Sequence, residues 1–496
     1  PMAKKQKTFK PKARVPRGFR DMAGAELALQ QRMIATISDV YQSYGFDALD
    51  TSAFEYADAL GKFLPDADRP NEGVFALEDD DKQWLSLRYD LTAPLARYVA
   101  EHYDALPKPF RRFQWGPVWR NEKPGPGRYR QFLQIDADTV GAGNMGADAE
   151  ICMMAADCMA ALGIETGDYL VRINNRKIMD GLLQRIGVSA EQADYETRRL
   201  TILRAMDKYD RLGLAGVRDL LGAGRRDESG DFTAGAGLDA AQIDAVAGLV
   251  SAQGASRPDM LDALEAQIGD TESGARGIAE LREMDALFTR LGYGVDRLCI
   301  DPTIVRGLGY YTGPVYEIDL TFDTQDSDGT VTRFGSVGGG GRYDDLIMRF
   351  KGVEIPATGI SIGVSRLAAA LALLGHADAH ALQPLIVVLV MDKQTRPELA
   401  AFVQDLRSAG LRAELYMGDS AMKAQLRYAD ARRARFVVIE GEDERAKGVV
   451  TVKDLDLGKQ KSAEIEDNAE WRASAHAQFE VKKNEVSDTI IKLLSE

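Results

Sequence analysis

The segment from Phe110 to Gly141, FRRFQWGPVWRNEKPGPGRYRQFLQIDADTVG, constrains the fold more than any other part of the chain. Its first half alternates in character, placing Phe113, Trp115 and Trp119 on one side and Arg112, Gln114, Val118 and Arg120 on the other. A period of two is a strand signature, since a helix would scatter these residues around its axis. The loop NEKPGPG supplies the proline and glycine that end a strand and reverse it. On the return, Tyr129, Leu133, Ile135 and Ala137 share one face and Arg130, Gln134, Asp136 and Asp138 the other. The segment therefore predicts an antiparallel hairpin with one apolar and one polar face. Lys108 to Arg130 holds seven basic residues against one acidic, with arginines bracketing the glycine-rich turn. That pattern fits a polyphosphate, and Gln134 and Asp138 beside the cations fit an amino acid next to it.

Leu27, Ile34, Ile37, Tyr41 and Tyr44 recur at helical spacing and Gly45 follows, which predicts a long amphipathic helix over Ala25–Tyr44. A helix over Ala147–Leu162 and a strand near Tyr169–Asn174 complete an α+β layout. Three further motifs lie downstream: RGLGYYTGPVYEI from Arg306, VGGGGRYD from Val337, and GISIGVSRLAAAL from Gly359. The glycine run allows backbone to approach a ligand, and Arg366 near the start of a buried helix calls for an anion. Gly141, Gly143 and Gly146 also spell a dinucleotide-type G-x-G-x-x-G. The strand before it alternates instead of being buried on both faces, so a Rossmann dehydrogenase is not the reading taken. After His380 the chain runs strand, helix (Pro397–Ser408), strand (Arg412–Met417), helix (Ala421–Arg433), strand (Phe436–Ile439), a small α/β domain with a parallel or mixed sheet.

Composition narrows the function classes. Lysine plus arginine number 62 and aspartate plus glutamate 76, a net charge of −14, which excludes a generally basic nucleic-acid coat but not a local basic groove. The three cysteines form no C-x-x-C spacing, and the four histidines fall outside the motifs, so zinc, an organic cofactor and Ser-His or Cys-His nucleophiles are not expected. No run of 18 apolar residues occurs, and the expectation is a cytoplasmic protein with no membrane partner. Pro1 before Met2 reads as a cloning remnant, and residues 3–20, with eight basic and no acidic residues, as a flexible basic arm.

Taken together, GPVWRNEKPGPGRYRQFLQIDADTVG, GISIGVSRL, SLRYDLTAPLARY, RGLGYYTGPVYE and GGGRYD resemble the motifs of the class II aminoacyl-tRNA synthetases, and among them the histidine-specific branch. MKAQLRYAD, FVVIEGEDE and VVTVKDLDLGKQ resemble that branch's anticodon-binding module. The resemblance implies a class II α+β catalytic core on a mainly antiparallel sheet, and residues 188–271, rich in Ala, Gly and Asp with helical periodicity in pieces, read as a mainly helical insertion in it. The expected divisions are arm 1–20, core 21–187, insertion 188–271, core 272–378 and anticodon-binding α/β domain 384–496. It implies ATP-dependent ligation of L-histidine to tRNA(His) through a histidyl-adenylate, Mg²⁺ accompanying ATP, and a homodimer.

By resemblance Arg120 and Arg306 are the catalytic cations. Arg120, Arg128 and Arg366 hold ATP, while Asp90, Thr92 and Gln134 hold the substrate's α-amino group. Asp138 and Tyr311 take the imidazole, with Tyr310 also at the histidine and Arg306 near the carboxylate. Lys123 and Arg128 at one end and Lys423, Arg427, Arg432, Arg433 and Arg435 at the other outline a tRNA path. Some positions depart from the family pattern: Ser52 after Thr51, Gly309, Ser365, and Gly125 and Pro126 in the arginine-bracketed loop. The alternative from another class is a catalytically inactive paralogue that binds histidine and regulates another enzyme. Such regulators lack the anticodon module.

Overall fold

In a computed structural model of the chain, the described residues are 11–59, 73–125, 128–189, 191–226, 230–305, 311–325, 331–374, 383–457 and 477–495. The chain divides into two compact units, 1–380 and 381–496.

The first unit opens with α1 (Gly24–Ser43), whose buried stripe Leu29, Met33, Ile34, Ile37 and Tyr41 follows the helical period. Gly45, at φ +81°, ends it where a side chain would be strained. Short strands β1 (Asp47–Ala48), β2 (Phe54–Tyr56), β3 (Ala76–Glu78) and β4 (Trp84–Leu87) precede α2 (Thr92–His102). The expected hairpin is β5 (Phe110–Trp119) and β6 (Gln131–Val140), paired antiparallel with Arg112 opposite Asp138 and Gln114 opposite Asp136. Next come α3 (Met145–Ala161), β7 (Tyr169–Asn175) and α4 (Arg176–Arg185).

The segment 188–271 carries α5 (Tyr195–Met206), α6 (Tyr209–Leu221), a small hairpin of β8 (Gly224–Arg226) and β9 (Phe232–Ala234), α7 (Ala240–Val250) and α8 (Arg257–Ile268). The unit then returns through α9 (Glu272–Arg290), β10 (Leu298–Ile300), β11 (Pro314–Gln325), β12 (Val331–Arg342), α10 (Met348–Lys351), β13 (Ala357–Gly363) and α11 (Val364–Leu373).

Eight strands form one sheet in the order β1-β5-β6-β13-β12-β11-β7-β10. Only the outer pairs β1/β5 and β7/β10 are parallel; the other neighbours run antiparallel. One face carries Phe113, Ile135 and Ala137 into a core shared with α1 and α3. Cys152 and Cys158 on α3 are fully buried in that core. The opposite face bears the polar residues, and it is not the solvated side: Arg112, Gln114, Asp136 and Asp138 are all buried.

In the second unit, β14 (Ile386–Val388), α12 (Arg396–Ser408), β15 (Ala413–Leu415), α13 (Met422–Ala431), β16 (Phe436–Ile439), α14 (Glu442–Lys447), β17 (Val449–Asp454), β18 (Gln478–Lys482) and α15 (Val486–Ser495) follow in turn. The sheet order is β15-β14-β16-β17-β18, with the first three parallel and the last two antiparallel. It is a mixed sheet, and Val387, Val388, Val437 and Val438 are buried as a doubly covered strand requires. No helix among the described residues is long and apolar enough to cross a membrane.

Candidate active site

The buried polar face of the large sheet forms the floor of a cleft of about 670 Å³. Side chains paired across strands point the same way, so the register sets this part of the sheet row by row. One row runs Gln114, Asp136, Ser361, Gly339, Glu317; the next runs Arg112, Asp138, Gly359, Gly341, Val315. Glycine at 359 and 341 is dictated by neighbours. A Cβ on Gly359 would sit 1.9 Å from Asp138 Oδ1, and one on Gly341 would sit 2.8 Å from the Tyr311 ring. Gly338, Gly339 and Gly340 of the four-glycine run line the cleft, and the run is no hairpin turn, since it lies inside β12.

Asp90, Thr92, Arg120, Gln134, Tyr311 and Arg366, all expected from the sequence, line this cleft together. Asp90 Oδ1 accepts the backbone N–H groups of Thr92 (3.1 Å) and Ala93 (2.9 Å), which caps α2 and fixes the loop before it. Arg120 follows β5, its guanidinium 4.5 Å from the Tyr89 ring centroid and 5.1 Å from that of Phe132. Its Nε is buried and makes no hydrogen bond among the described residues. Two ring faces hold the cation in place while leaving a donor available. Arg366 lies over the Phe334 ring at 5.2 Å and donates to the Phe334 carbonyl at 2.8 Å. Burial raises the Tyr311 phenol above its ordinary pKa, with Asp138, Asp136 and Asp90 adding to the effect.

Asp138 is not part of the cleft lining. Its carboxylate lies 2.8 Å from Arg112 Nη2, both side chains being buried, and it accepts a hydrogen bond from the Tyr343 hydroxyl. Burial raises its pKa, opposed by Arg112 and then by the Tyr343 bond. Arg128 and Lys123 are exposed in the loop after β5, where Arg128 stands 4.0 Å from Glu122. Arg306, Tyr310 and Gly309 lie outside the described residues, as does Pro126. Among the departures that are described, Ser52 Oγ accepts the Phe54 amide and Ser365 Oγ accepts the Leu133 amide, while Thr51 before Ser52 donates to Gln114 Oε1 at 3.2 Å.

Arg342 of the GGGRYD motif points away from the cleft. It pairs with buried Asp148 and Asp344 and donates to the carbonyls of Ala142 (3.1 Å) and Asn144 (3.3 Å). It therefore ties β12 to α3 and to the glycine-bearing loop that mimics a dinucleotide motif.

Sequence reasoning did not assign Tyr89, Asp136, Glu317 and Ser361, which also line the cleft. Ser361 had a legible signal, since it alternates with Ile360 and Ile362, both buried in the core. Asp136 shares the parity of Gln134 and Asp138. Nothing local marks Tyr89 or Glu317.

In the second unit Lys423 and Arg427 lie exposed on α13, with Arg432 and Arg433 exposed just after it. Arg432 pairs with Glu414 at 3.0 Å, and Arg435 reaches Asp454 at 3.6 Å and the Leu493 carbonyl at 3.3 Å.

Comparison with known proteins is consistent along the whole chain. Residues 18–367 match the family model for histidyl-tRNA synthetase and 384–474 that for an anticodon-binding domain. A histidine–tRNA ligase from Brucella ovis is 55% identical over 490 residues, covering 98% of this chain and 97% of that one. One from Bartonella bacilliformis is 54% identical over 498 residues, covering 99% of each. The solved histidyl-tRNA synthetase of Nostoc sp. PCC 7120 superposes with a TM-score of 0.73 at 29% identity, covering 97% of this chain and 100% of that one. Matched by that family model over 18–367 and more than half identical to histidine–tRNA ligases along nearly its whole length, the chain belongs to the histidyl-tRNA synthetase family.

Proposed function

We infer that the chain ligates L-histidine to tRNA(His) at the expense of ATP, through a histidyl-adenylate. The observation that carries this reading is the cleft itself. A cation braced by Tyr89 and Phe132, with an unengaged donor, stands beside a buried polar floor. Such a site can orient an amino acid against a triphosphate. Full-length identity to histidine–tRNA ligases supports it.

In this reading the histidine carboxylate attacks the α-phosphorus in line and pyrophosphate leaves, so catalysis is positioning plus electrostatic stabilisation. Arg120 contacts the α-phosphate, and Arg128 and Arg366 the outer phosphates. Arg306 is the second catalytic cation, near the substrate carboxylate. Asp90, Thr92 and Gln134 serve the α-amino group, and Asp138 and Tyr311 the imidazole, with Tyr310 also at the histidine. Mg²⁺ accompanies ATP and offsets phosphate charge; no side chain is assigned to it. Lys123, Lys423, Arg427, Arg432 and Arg433 contact tRNA. The core and insertion boundaries expected from the sequence, and a cytoplasmic location, belong to the same reading.

A homodimer is part of it. On the small sheet β2-β4-β3, Phe54 and Leu87 pair, as do Tyr56 and Leu85, and Leu77 and Leu85, so all five side chains share one face. Phe54, Tyr56 and Leu77 on that face are exposed. A contiguous apolar face of this kind supports burial against a second copy. The inactive-paralogue reading has less behind it, since the terminal unit that such regulators lack is present and matches an anticodon-binding domain.

The test is histidine-dependent ATP–pyrophosphate exchange followed by charging of tRNA(His). Exchange without charging would move the assignment away from a ligase. Histidine binding with neither activity would restore the regulatory alternative.

A further inference from the structure

The floor of the cleft contains more acceptor capacity than the assigned residues use. Asp136 is 2% exposed, lines the cleft, and its Oδ1 makes no hydrogen bond among the described residues. Ser361, opposite it on β13, also has an unbonded buried hydroxyl, and Gln134, two residues along β6, has an unbonded buried Oε1. Ser361 lies near enough to ease the charge on Asp136 without completing a hydrogen bond. A buried carboxylate oxygen, a hydroxyl and an amide oxygen without partners form a costly arrangement unless something else meets them.

The neighbouring charges say what that something is. Arg112 lies within ion-pair distance of Asp138, and Asp138 is further held by Tyr343. Asp90 has one oxygen committed to the cap of α2. Asp136 has no ion-pair partner within 4.0 Å among the described residues, though it feels Arg112 at longer range and is pressed by Asp138 and Asp90. The missing partner is therefore a cation with several N–H donors. A primary ammonium has three N–H groups and a positive charge at neutral pH, matching these acceptors, one of them a carboxylate.

Resting on the histidine-activating reading above, we propose that Asp136, together with Ser361 and Gln134, is the seat of the substrate's α-ammonium group. Asp136 is then a specificity-determining carboxylate for the reaction, and Ser361 supplies one acceptor of the set. Asp90 acts at the same group from the α2 side, with its remaining oxygen. Analogues without the ammonium are rejected because they leave the buried Asp136, Ser361 and Gln134 acceptors unmet.

The experiment compares two non-reacting ligands that differ only in the amine: L-histidinol and its deamino counterpart, 3-(imidazol-4-yl)propan-1-ol. Their affinities are measured by calorimetry on the full-length chain and on Asp136→Asn and Ser361→Ala. In the parent chain histidinol binds more tightly. Asp136→Asn, which conserves shape, weakens histidinol by roughly tenfold to hundredfold and leaves the deamino alcohol and the KM for ATP unchanged. Ser361→Ala weakens histidinol alone by a smaller factor. Equal losses for both ligands would assign Asp136 to the imidazole or to the fold and overturn the proposal, as would no loss for either. Failure of the parent chain to bind histidinol at all would instead strike the histidine-activating reading, a distinguishable result.

Discussion

In the proposed reaction Arg120 is the cation that meets the α-phosphate. Its guanidinium is braced by two rings, so removing it deletes a positioned cation without opening a core. Arg120→Ala is expected to lower the rate of pyrophosphate exchange by roughly a hundredfold to a thousandfold, the usual cost of losing one donor aimed at developing charge. Circular dichroism and the melting temperature should stay near those of the parent. A near-normal exchange rate would remove Arg120 from the α-phosphate. Asp136 makes a second test in the absence of ligand. Burial pushes its carboxyl up to about 8, Arg112 opposing and Asp138 and Asp90 adding. A carboxyl raised in the folded state binds more protons than in the unfolded state, so its contribution to stability falls as pH rises from the ordinary carboxylate range through 8. Asp136→Asn cannot ionise. The melting temperature of Asp136→Asn should therefore gain on the parent's as pH goes from about 5 to about 9, and a constant offset would contradict the buried, uncompensated charge.

Single elements repeat the pattern on a larger scale. The β5–β6 hairpin was legible because period-two alternation and a Pro-Gly loop admit little else, and α1 because its apolar stripe keeps helical spacing. What alternation could not say is which face of the hairpin meets water. Both faces are buried: beyond the apolar core, the polar face is covered by groups distant in sequence, the Leu91 carbonyl on Arg112, Thr51 on Gln114 and the Tyr343 hydroxyl on Asp138. Glu317 reaches the site by long-range strand pairing, and no local signal reports it; Ser361 comes by the same route, its place marked only by the alternation with Ile360 and Ile362. Arg342 shows the converse, a motif residue with a structural task. Its pairing with Asp148 is buried on both sides. Arg342→Ala should leave Asp148 charged and unpaired and destabilise the first unit by about 3–5 kcal/mol, read by urea denaturation. An effect below about 1 kcal/mol would mean that water replaces the arginine. On the small sheet, Tyr56→Glu puts a charge into the exposed apolar face and is expected to yield monomers in analytical ultracentrifugation. Intact dimers in that variant would place the dimer contact elsewhere.

For the whole molecule, the division into two units predicts separable functions. Lys423, Arg427 and Arg433 are exposed cations of the second unit. Replacing all three with glutamine should weaken tRNA charging while sparing histidine-dependent pyrophosphate exchange, and the salt dependence of tRNA binding should flatten by ~0.7–0.9 per lost phosphate contact. A parallel fall in both activities would tie these residues to the catalytic unit's folding instead. Arg435 is left out of the set because its links to Asp454 and the Leu493 carbonyl give it a role in holding its own unit together.

The distribution of thiols along the chain has a practical consequence. All three cysteines, Cys152, Cys158 and Cys299, fall in the first unit, and the second has none. Burial raises each thiol well above its ordinary range, Cys299 to about 12, so little thiolate exists while the unit is closed. A thiol-reactive dye added to the intact protein thus becomes a stopwatch for one half of the molecule. Its uptake should track opening of the catalytic unit and stay silent when only the anticodon-binding unit melts, allowing the two to be followed apart without cutting the chain.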